Sequence, residues 1–213
     1  MGYFIGWCLF KAFFKLFLDF KVIGRENVPK KGAFLFVSNH TSFFDPILLG
    51  TALYRSLNYM ARETLFKTRC SAETMRIVHA FPVKRDRGDL SGIRESLRIL
   101  KTGKPLVVFP EGTRAKDKCL RRAKPGAGFI AVKSGVPVIP AYVWGSFDAL
   151  PRGWKTFRPH PVRVYIGEPV NVKDGVQRTE YREQSRDVYQ CASNEMIKRI
   201  GELKEKAEAE NAD

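Results

Sequence analysis

Residues 38–46 read Ser-Asn-His-Thr-Ser-Phe-Phe-Asp-Pro. An imidazole and a carboxylate five positions apart can do acid–base chemistry if a turn folds Asp45 back onto His40. The carboxylate would fix one ring nitrogen as a donor and stabilise the imidazolium. The other nitrogen could then take a proton from an alcohol. The same residue types also suit a helix-capping Asp beside an exposed His. Ser38, Thr41 and Ser42 lie close enough to His40 to keep a serine nucleophile as an alternative.

Three further segments carry candidate chemistry. Residues 109–114 read Phe-Pro-Glu-Gly-Thr-Arg. Gly112 permits a tight turn and a close backbone approach to a ligand. Arg114 offers a planar fork of donors that matches phosphate. Glu111 could hold that arginine or bind a substrate hydroxyl. Lys116, Lys118, Arg121, Arg122 and Lys124 follow, opposed only by Asp117. Residues 79–87 read His-Ala-Phe-Pro-Val-Lys-Arg-Asp-Arg, so Arg85 or Arg87 would leave a strand end and could reach the same phosphate. Residues 135–141 read Gly-Val-Pro-Val-Ile-Pro-Ala. Two prolines in a short apolar strand suit a sheet edge or the wall of an apolar channel.

The elements that must position these groups alternate short apolar runs with helical patterns, the signature of an α/β fold. Strands are predicted at 33–38, 58–62, 79–83, 105–109, 138–143 and 162–166. Several are apolar on both faces, as in a sheet covered by helices on each side. Asp45 and Pro46 predict an N-cap and a first helical residue. Asp89 or Ser91 predicts the start of a helix carrying Ile93, Leu97 and Leu100, closed by Gly103. Pro125 and Gly135 bracket a small-residue helix. Residues 178–207 form a long charged helix with Ile197, Ile200 and Leu203 on one face. Residues 145–161 form the longest irregular stretch, rich in bases and aromatics.

Composition narrows the partner. The chain has 213 residues, 44% of them hydrophobic, and a formal net charge of +15. That is a globular chain for one large domain, with an anionic partner: nucleic acid, anionic lipid or a phosphorylated substrate. From Asp174 onward acids outnumber bases, ten to seven. The basic surface therefore belongs to the body and not to a tail. Cys8, Cys70, Cys119 and Cys191 show no metal-ligand spacing and read as free thiols.

The N-terminal segment is rich in Phe. Lys11, Lys15 and Asp19 recur at i, i+4, i+8, with Phe13, Phe14, Leu16, Phe17, Leu18 and Phe20 around the rest. This predicts an amphipathic helix lying in a membrane interface, not crossing it. The competing expectation is a helix packed on the protein's own core. The signals of a cleavable leader, basic residues first and small residues last, are missing.

These four blocks, in this order, resemble the glycerolipid acyltransferase family that includes the bacterial 1-acylglycerol-3-phosphate acyltransferases. The likeness runs from about Ile23 to Val170. It implies an N-terminal membrane-associating helix over residues 1–22 and an acyltransferase domain over 23–213. The fold implied is α/β, a mixed central sheet covered by helices. It also implies that His40 is the general base and Asp45 its orienting partner. Substrate binding is implied for Asn39, Arg85, Glu111, Gly112, Thr113, Arg114 and Pro137, with Pro137 near the acyl-donor path. Many relatives carry one Asp-Arg where this chain has Lys-Arg-Asp-Arg, so Arg87 stays an alternative to Arg85.

The activity implied is transfer of an acyl chain from acyl-CoA or acyl-carrier protein to the sn-2 hydroxyl of 1-acylglycerol 3-phosphate (lysophosphatidate). It needs no cofactor and no metal. The partners implied are lysophosphatidate, membrane lipid and the acyl donor, at the cytoplasmic face of the cell membrane. Glycerol 3-phosphate or another lysolipid is the alternative acceptor. A basic nucleic-acid-binding module would account for the charge but gives His40, Asp45 and the Glu-Gly-Thr-Arg turn no task.

Overall fold

The four chemistry-bearing segments adjoin strands, and those strands share one sheet. The computed structural model describes residues 2–84, 90–154, 156–172 and 186–212. Among them are strands β1 (Lys21–Ile23), β2 (Leu35–Ser38), β3 (Asn58–Arg62), β4 (Ala80–Val83), β5 (Leu106–Val108), β6 (Val138–Trp144) and β7 (Arg163–Ile166). The sheet order is β1-β7-β6-β2-β5-β3-β4. Strands β6, β2, β5, β3 and β4 run parallel, and β7 is antiparallel to β6. The sheet is therefore mixed. The five parallel strands place their C-terminal ends on one edge, where open α/β sheets bind ligands.

Strand β2 is central, and all four of its residues are buried. Its side chains alternate between two cores. Phe36 joins Phe14, Leu18, Leu48 and Leu49 on one face. Leu35 and Val37 join Leu100, Ile130, Met196 and Ile200 on the other. The first face thus carries helices α1 (Gly2–Leu18) and α2 (Asp45–Ala52). Helix α3 (Arg69–Ile77) links β3 to β4 and buries no residue. The second face carries α4 (Leu90–Lys101) and α5 (Pro125–Ser134). Right-handed crossovers account for this division, because the chain first moves one way along the sheet and then returns. Helix α6 (Ser146–Ala149) follows β6, and the last helix, α7 (Arg186–Glu210), packs on α5 and β6.

Several sequence expectations change. Asp45 is the first residue of α2, and Phe44 is the N-cap. The Asp45 carboxylate turns back to the preceding loop, so it cannot cap the helix it begins. Asp19 lies past the end of α1 at φ +38°, paired with Arg163 and Lys21, and so leaves the Lys11/Lys15 stripe. Strand β6 has partners on both sides and is no sheet edge. Its Pro140 lies where outward pairing passes from Val170 to β7, with Gly167 N–H donating to the Pro140 carbonyl at 2.8 Å. A missing N–H is tolerated at that join. Residues 145–161 contain α6, and Pro151 bridges to Ser42. Strand β1 was not foreseen, and the boundary between residues 22 and 23 falls inside it.

Helix α1 packs on the core with one face and leaves an apolar face exposed. Phe14 and Leu18 are fully buried, whereas Leu9, Phe10, Leu16 and Phe17 are exposed. No helix among the described residues is long and apolar enough to cross a membrane. Gly135 closes α5 at φ +65°, as its position predicts. In α7 the face formed by Val188, Ala192, Met196 and Ile200 is buried at i, i+4 spacing. Part of the expected helix, residues 178–185, lies outside the described residues. The four cysteines are unpaired.

Candidate active site

The catalytic candidates sit in the loop between β2 and α2. Its entry is held by Asn39, 1% exposed, whose side chain continues the sheet where the backbone leaves it. Its Nδ2 donates to Val143 C=O at 3.1 Å, and its Oδ1 accepts Val143 N–H at 2.8 Å. Both amide groups are thus engaged with β6. Asn39 thereby secures the loop to β6.

The loop then closes on Asp45. The carboxylate is fully buried. One oxygen, Oδ2, accepts from Thr41 N–H at 2.7 Å and Ser42 N–H at 2.8 Å, and meets His40 Nδ1 at 2.9 Å. An ionised carboxylate only accepts, so the network assigns the proton to Nδ1. Among the described residues Nε2 has no protein partner, and the His40 side chain is 13% exposed. The ring stacks on Phe109, centroids 4.0 Å apart at 15°. Asp45 from one side and Phe109 from a face fix the ring, leaving Nε2 free to accept a proton. The other carboxylate oxygen, Oδ1, is buried without a partner.

The hydroxyls around His40 are bound elsewhere. Ser42 Oγ donates to Leu150 C=O at 2.7 Å and accepts Phe44 N–H at 3.1 Å. Thr41 Oγ1 pairs with Ser146 Oγ at 3.2 Å, and Ser38 Oγ donates to Asn39 Oδ1 at 3.1 Å. None is bonded to the His40 ring, so the geometry gives no activated serine. The arrangement supports a general base acting on an incoming hydroxyl.

The Glu-Gly-Thr-Arg turn follows β5, the strand beside β2, and so arrives next to His40. Gly112 adopts φ +71°, and a Cβ there would meet the Lys124 side chain at 2.9 Å. Thr113 is half-buried in the same turn. The Arg114 guanidinium lies 5.8 Å from the Phe43 ring centroid and has no acidic partner among the described residues. Glu111 does not hold Arg114. Its Oε1 accepts His40 N–H and its Oε2 accepts Arg121 N–H, each at 3.2 Å. Burial pushes the Glu111 carboxyl up to about 7; its two N–H donors pull it down and the negative Asp45 raises it.

The structure does not bring Pro137 to this group. It is exposed just before β6, at the N-terminal end of a strand parallel to β2. His40 follows the C-terminal end, so about five residues of strand, on the order of 15 Å, separate them. Arg85 and Arg87 lie outside the described residues. Strand β4, which precedes them, ends at Val83 on the same edge as the His40 loop. Sequence reasoning missed Phe109 as the platform for the ring, since that role depends on β5 lying beside β2. It also missed the backbone partners of Glu111 and Asn39, which carry no side-chain signature.

A model of the Acyltransferase family matches residues 19–144. The chain belongs to this acyltransferase family. It is similar to the 1-acyl-sn-glycerol-3-phosphate acyltransferase of Bacillus subtilis, at 32% identity over 156 residues, covering 72% of this chain and 75% of that one. A chloroplastic relative in Arabidopsis thaliana, 1-acyl-sn-glycerol-3-phosphate acyltransferase LPAT1, is 32% identical over 159 residues, covering 73% of this chain and 44% of the longer plant protein. Among solved structures, the 1-acyl-sn-glycerophosphate (LPA) acyltransferase PlsC of Thermotoga maritima superposes with a TM-score of 0.72 at 35% identity. The match covers 91% of this chain and 76% of that one. The mixed α/β sheet described above is therefore the fold of this family.

Glu111 makes a prediction about pH. Its folded value, about 7, lies above the ordinary 4.5. Between those values the folded protein holds a proton that the unfolded chain has released. Its contribution to stability is full below about 4.5 and is lost as pH rises through 7. Urea unfolding of wild type and Glu111→Gln from pH 5 to 8 checks this. The stability difference, wild type minus variant, is expected to fall with pH and level off above 7. A difference independent of pH would contradict the assignment.

Proposed function

We propose that this protein transfers a fatty acyl chain from a thioester to the free sn-2 hydroxyl of 1-acylglycerol 3-phosphate, forming phosphatidate. The observation that carries the reading is His40 Nδ1 held by buried Asp45 with Nε2 open, beside an arginine with no acidic partner among the described residues. His40 Nε2 takes the proton of the acceptor hydroxyl as that oxygen attacks the thioester carbonyl. A tetrahedral oxyanion forms, then collapses to the ester as the thiolate leaves with the bonding pair. The imidazolium is stabilised by Asp45 and returns its proton to the thiolate. The thioester is already activated, so no acyl-enzyme and no metal is needed. The names of the Bacillus, Arabidopsis and Thermotoga relatives support the same acceptor.

Arg114 is the proposed phosphate ligand, since its fork can contact two phosphate oxygens at once. The donor is acyl-CoA or acyl-carrier protein, both acidic and both suited to the exposed bases at 116, 118, 121, 122 and 124. The acceptor's tail has a matching apolar approach. Phe17 of α1 contacts Phe157, and Phe157 contacts Phe44 of the catalytic loop. Beside this chain Phe43 is 52% exposed. A peripheral position on the cytoplasmic face of the cell membrane would set His40 near headgroup depth.

Thiol release from acyl-CoA with lysophosphatidate, compared with glycerol 3-phosphate, tests the acceptor. Preference for glycerol 3-phosphate would sink the proposed reaction. Arg114→Lys should lower acceptor kcat/KM by roughly 10- to 150-fold, the equivalent of about 1.5–3 kcal/mol for a charge-assisted hydrogen bond. The loss should shrink for a dephosphorylated acceptor. An equal loss on both would remove Arg114 from the phosphate site.

The membrane reading is tested without disturbing the core. Leu16→Ser with Phe17→Ser leaves Phe14 and Leu18 in place. Two apolar side chains worth about 1.5–3 kcal/mol each when buried predict vesicle binding weaker by at least tenfold. Unchanged sedimentation with vesicles would place the lipid contact elsewhere.

A further inference from the structure

The turn after β5 puts Glu111 at the mouth of the site, yet its carboxylate points inward and is 3% exposed. Its two oxygens accept two main-chain N–H groups, those of His40 and Arg121. The main chain of His40 is tied a second time, for its carbonyl accepts Ala115 N–H at 2.7 Å. Lys124 N–H donates to Pro110 C=O at 2.9 Å and closes the segment. Residues 115–124 are thus a loop whose first residue holds the carbonyl of the catalytic histidine. Its far turn holds that histidine's N–H through Glu111. The loop also displays the exposed cations Lys116, Lys118, Arg121, Arg122 and Lys124. Glutamate suits this place because one planar group offers acceptors to two separate donors. A group bridging two backbone segments inside the protein is poorly placed to bind a substrate hydroxyl or repel a phosphate from outside.

We propose that Glu111 is a positioning residue, which locks the main chain of His40 to the basic loop so that the general base and the anion-binding surface share one rigid frame. Resting on the acyl-transfer reading above, this gives Glu111 no contact with the acceptor. A backbone displacement at His40 moves Nε2 relative to the attacking hydroxyl, and a misplacement near 1 Å can cost about 100-fold in rate.

The test uses the full chain in mixed micelles, with lysophosphatidate and its dephosphorylated counterpart as acceptors. Glu111→Gln keeps the size but turns an amide N–H2 toward one of the two donors. Glu111→Asp keeps the carboxyl group but falls one methylene short of bridging them. Both variants are expected to lower kcat roughly 10- to 100-fold, by the same factor on both acceptors, with acceptor KM within about twofold. A loss confined to KM for the phosphorylated acceptor makes Glu111 a substrate ligand and overturns the proposal. So does near-normal kcat in both variants.

A second measurement separates positioning from general damage to the fold. Lysophosphatidate binding is compared between His40→Ala and His40→Ala with Glu111→Asp or Glu111→Gln. If Glu111 acts through His40, affinity is the same within about twofold in a folded double variant, whichever substitution preserves cooperative unfolding. Weaker binding in such a folded variant overturns the proposal. If the wild type acylates neither acceptor, the acyl-transfer reading fails, and the binding comparison still decides whether Glu111 touches the ligand.

Discussion

One oxygen atom organises the site. Asp45 Oδ2 gathers the Thr41 and Ser42 N–H groups and the His40 ring within 2.7–2.9 Å. A buried carboxylate without donors would be strongly unfavourable, so these three contacts are a condition for Asp45 to sit there at all. They also dictate the path of the chain. The backbone must reverse between β2 and α2 tightly enough to point two successive N–H groups at the side chain that begins the helix. That reversal leaves the His40 ring between Asp45 and Phe109. Catalytic geometry and loop folding are the same set of hydrogen bonds.

The loop can be this tight because both flanks are rigid. Strand β2 is buried on both faces and paired on both edges, and Asn39 extends the pairing to β6 by one side chain. Parallel pairing with β5 then sets the Glu-Gly-Thr-Arg turn beside His40, while β6 delivers the Ser146 and Leu150 contacts to Thr41 and Ser42. The site is therefore assembled from three adjacent strand ends. The aromatic side chains of α1 and Phe157 reach the same loop from the opposite face to α5 and α7.

Much of this was legible in the sequence for local reasons. Runs of apolar residues marked every strand from β2 to β7, and Pro125 and Gly135 marked both ends of α5. His40 and Asp45 were legible because their spacing and chemistry are specific together. What was not legible depends on neighbours distant in the chain. The tie from Asn39 to Val143 appears only once β6 is placed beside it. Glu111 looks like a partner for Arg114 until the backbone N–H groups of His40 and Arg121 appear around it. Pro137 sits in a block associated with the site, but the parallel register puts it at the other end of its strand. Asp45 reads as a helix cap, because capping and turning back on the loop use the same carboxylate chemistry. Strand β1 has only three residues, too few for a periodic pattern, so only its pairing with β7 reveals it.

The central claim is that Asp45 holds the proton on His40 Nδ1 and leaves Nε2 free as the base. Nitrogen-15 NMR of the imidazole reads this directly. The chain has three histidines, so single substitutions of His79 and His160 complete the assignment. With the His40 ring neutral, the account predicts a protonated Nδ1 coupled to a downfield proton and an unprotonated Nε2. In Asp45→Asn that preference should weaken or reverse. A wild-type ring protonated at Nε2 would contradict the account, because the nitrogen facing the acceptor would then be a donor and could not serve as the base.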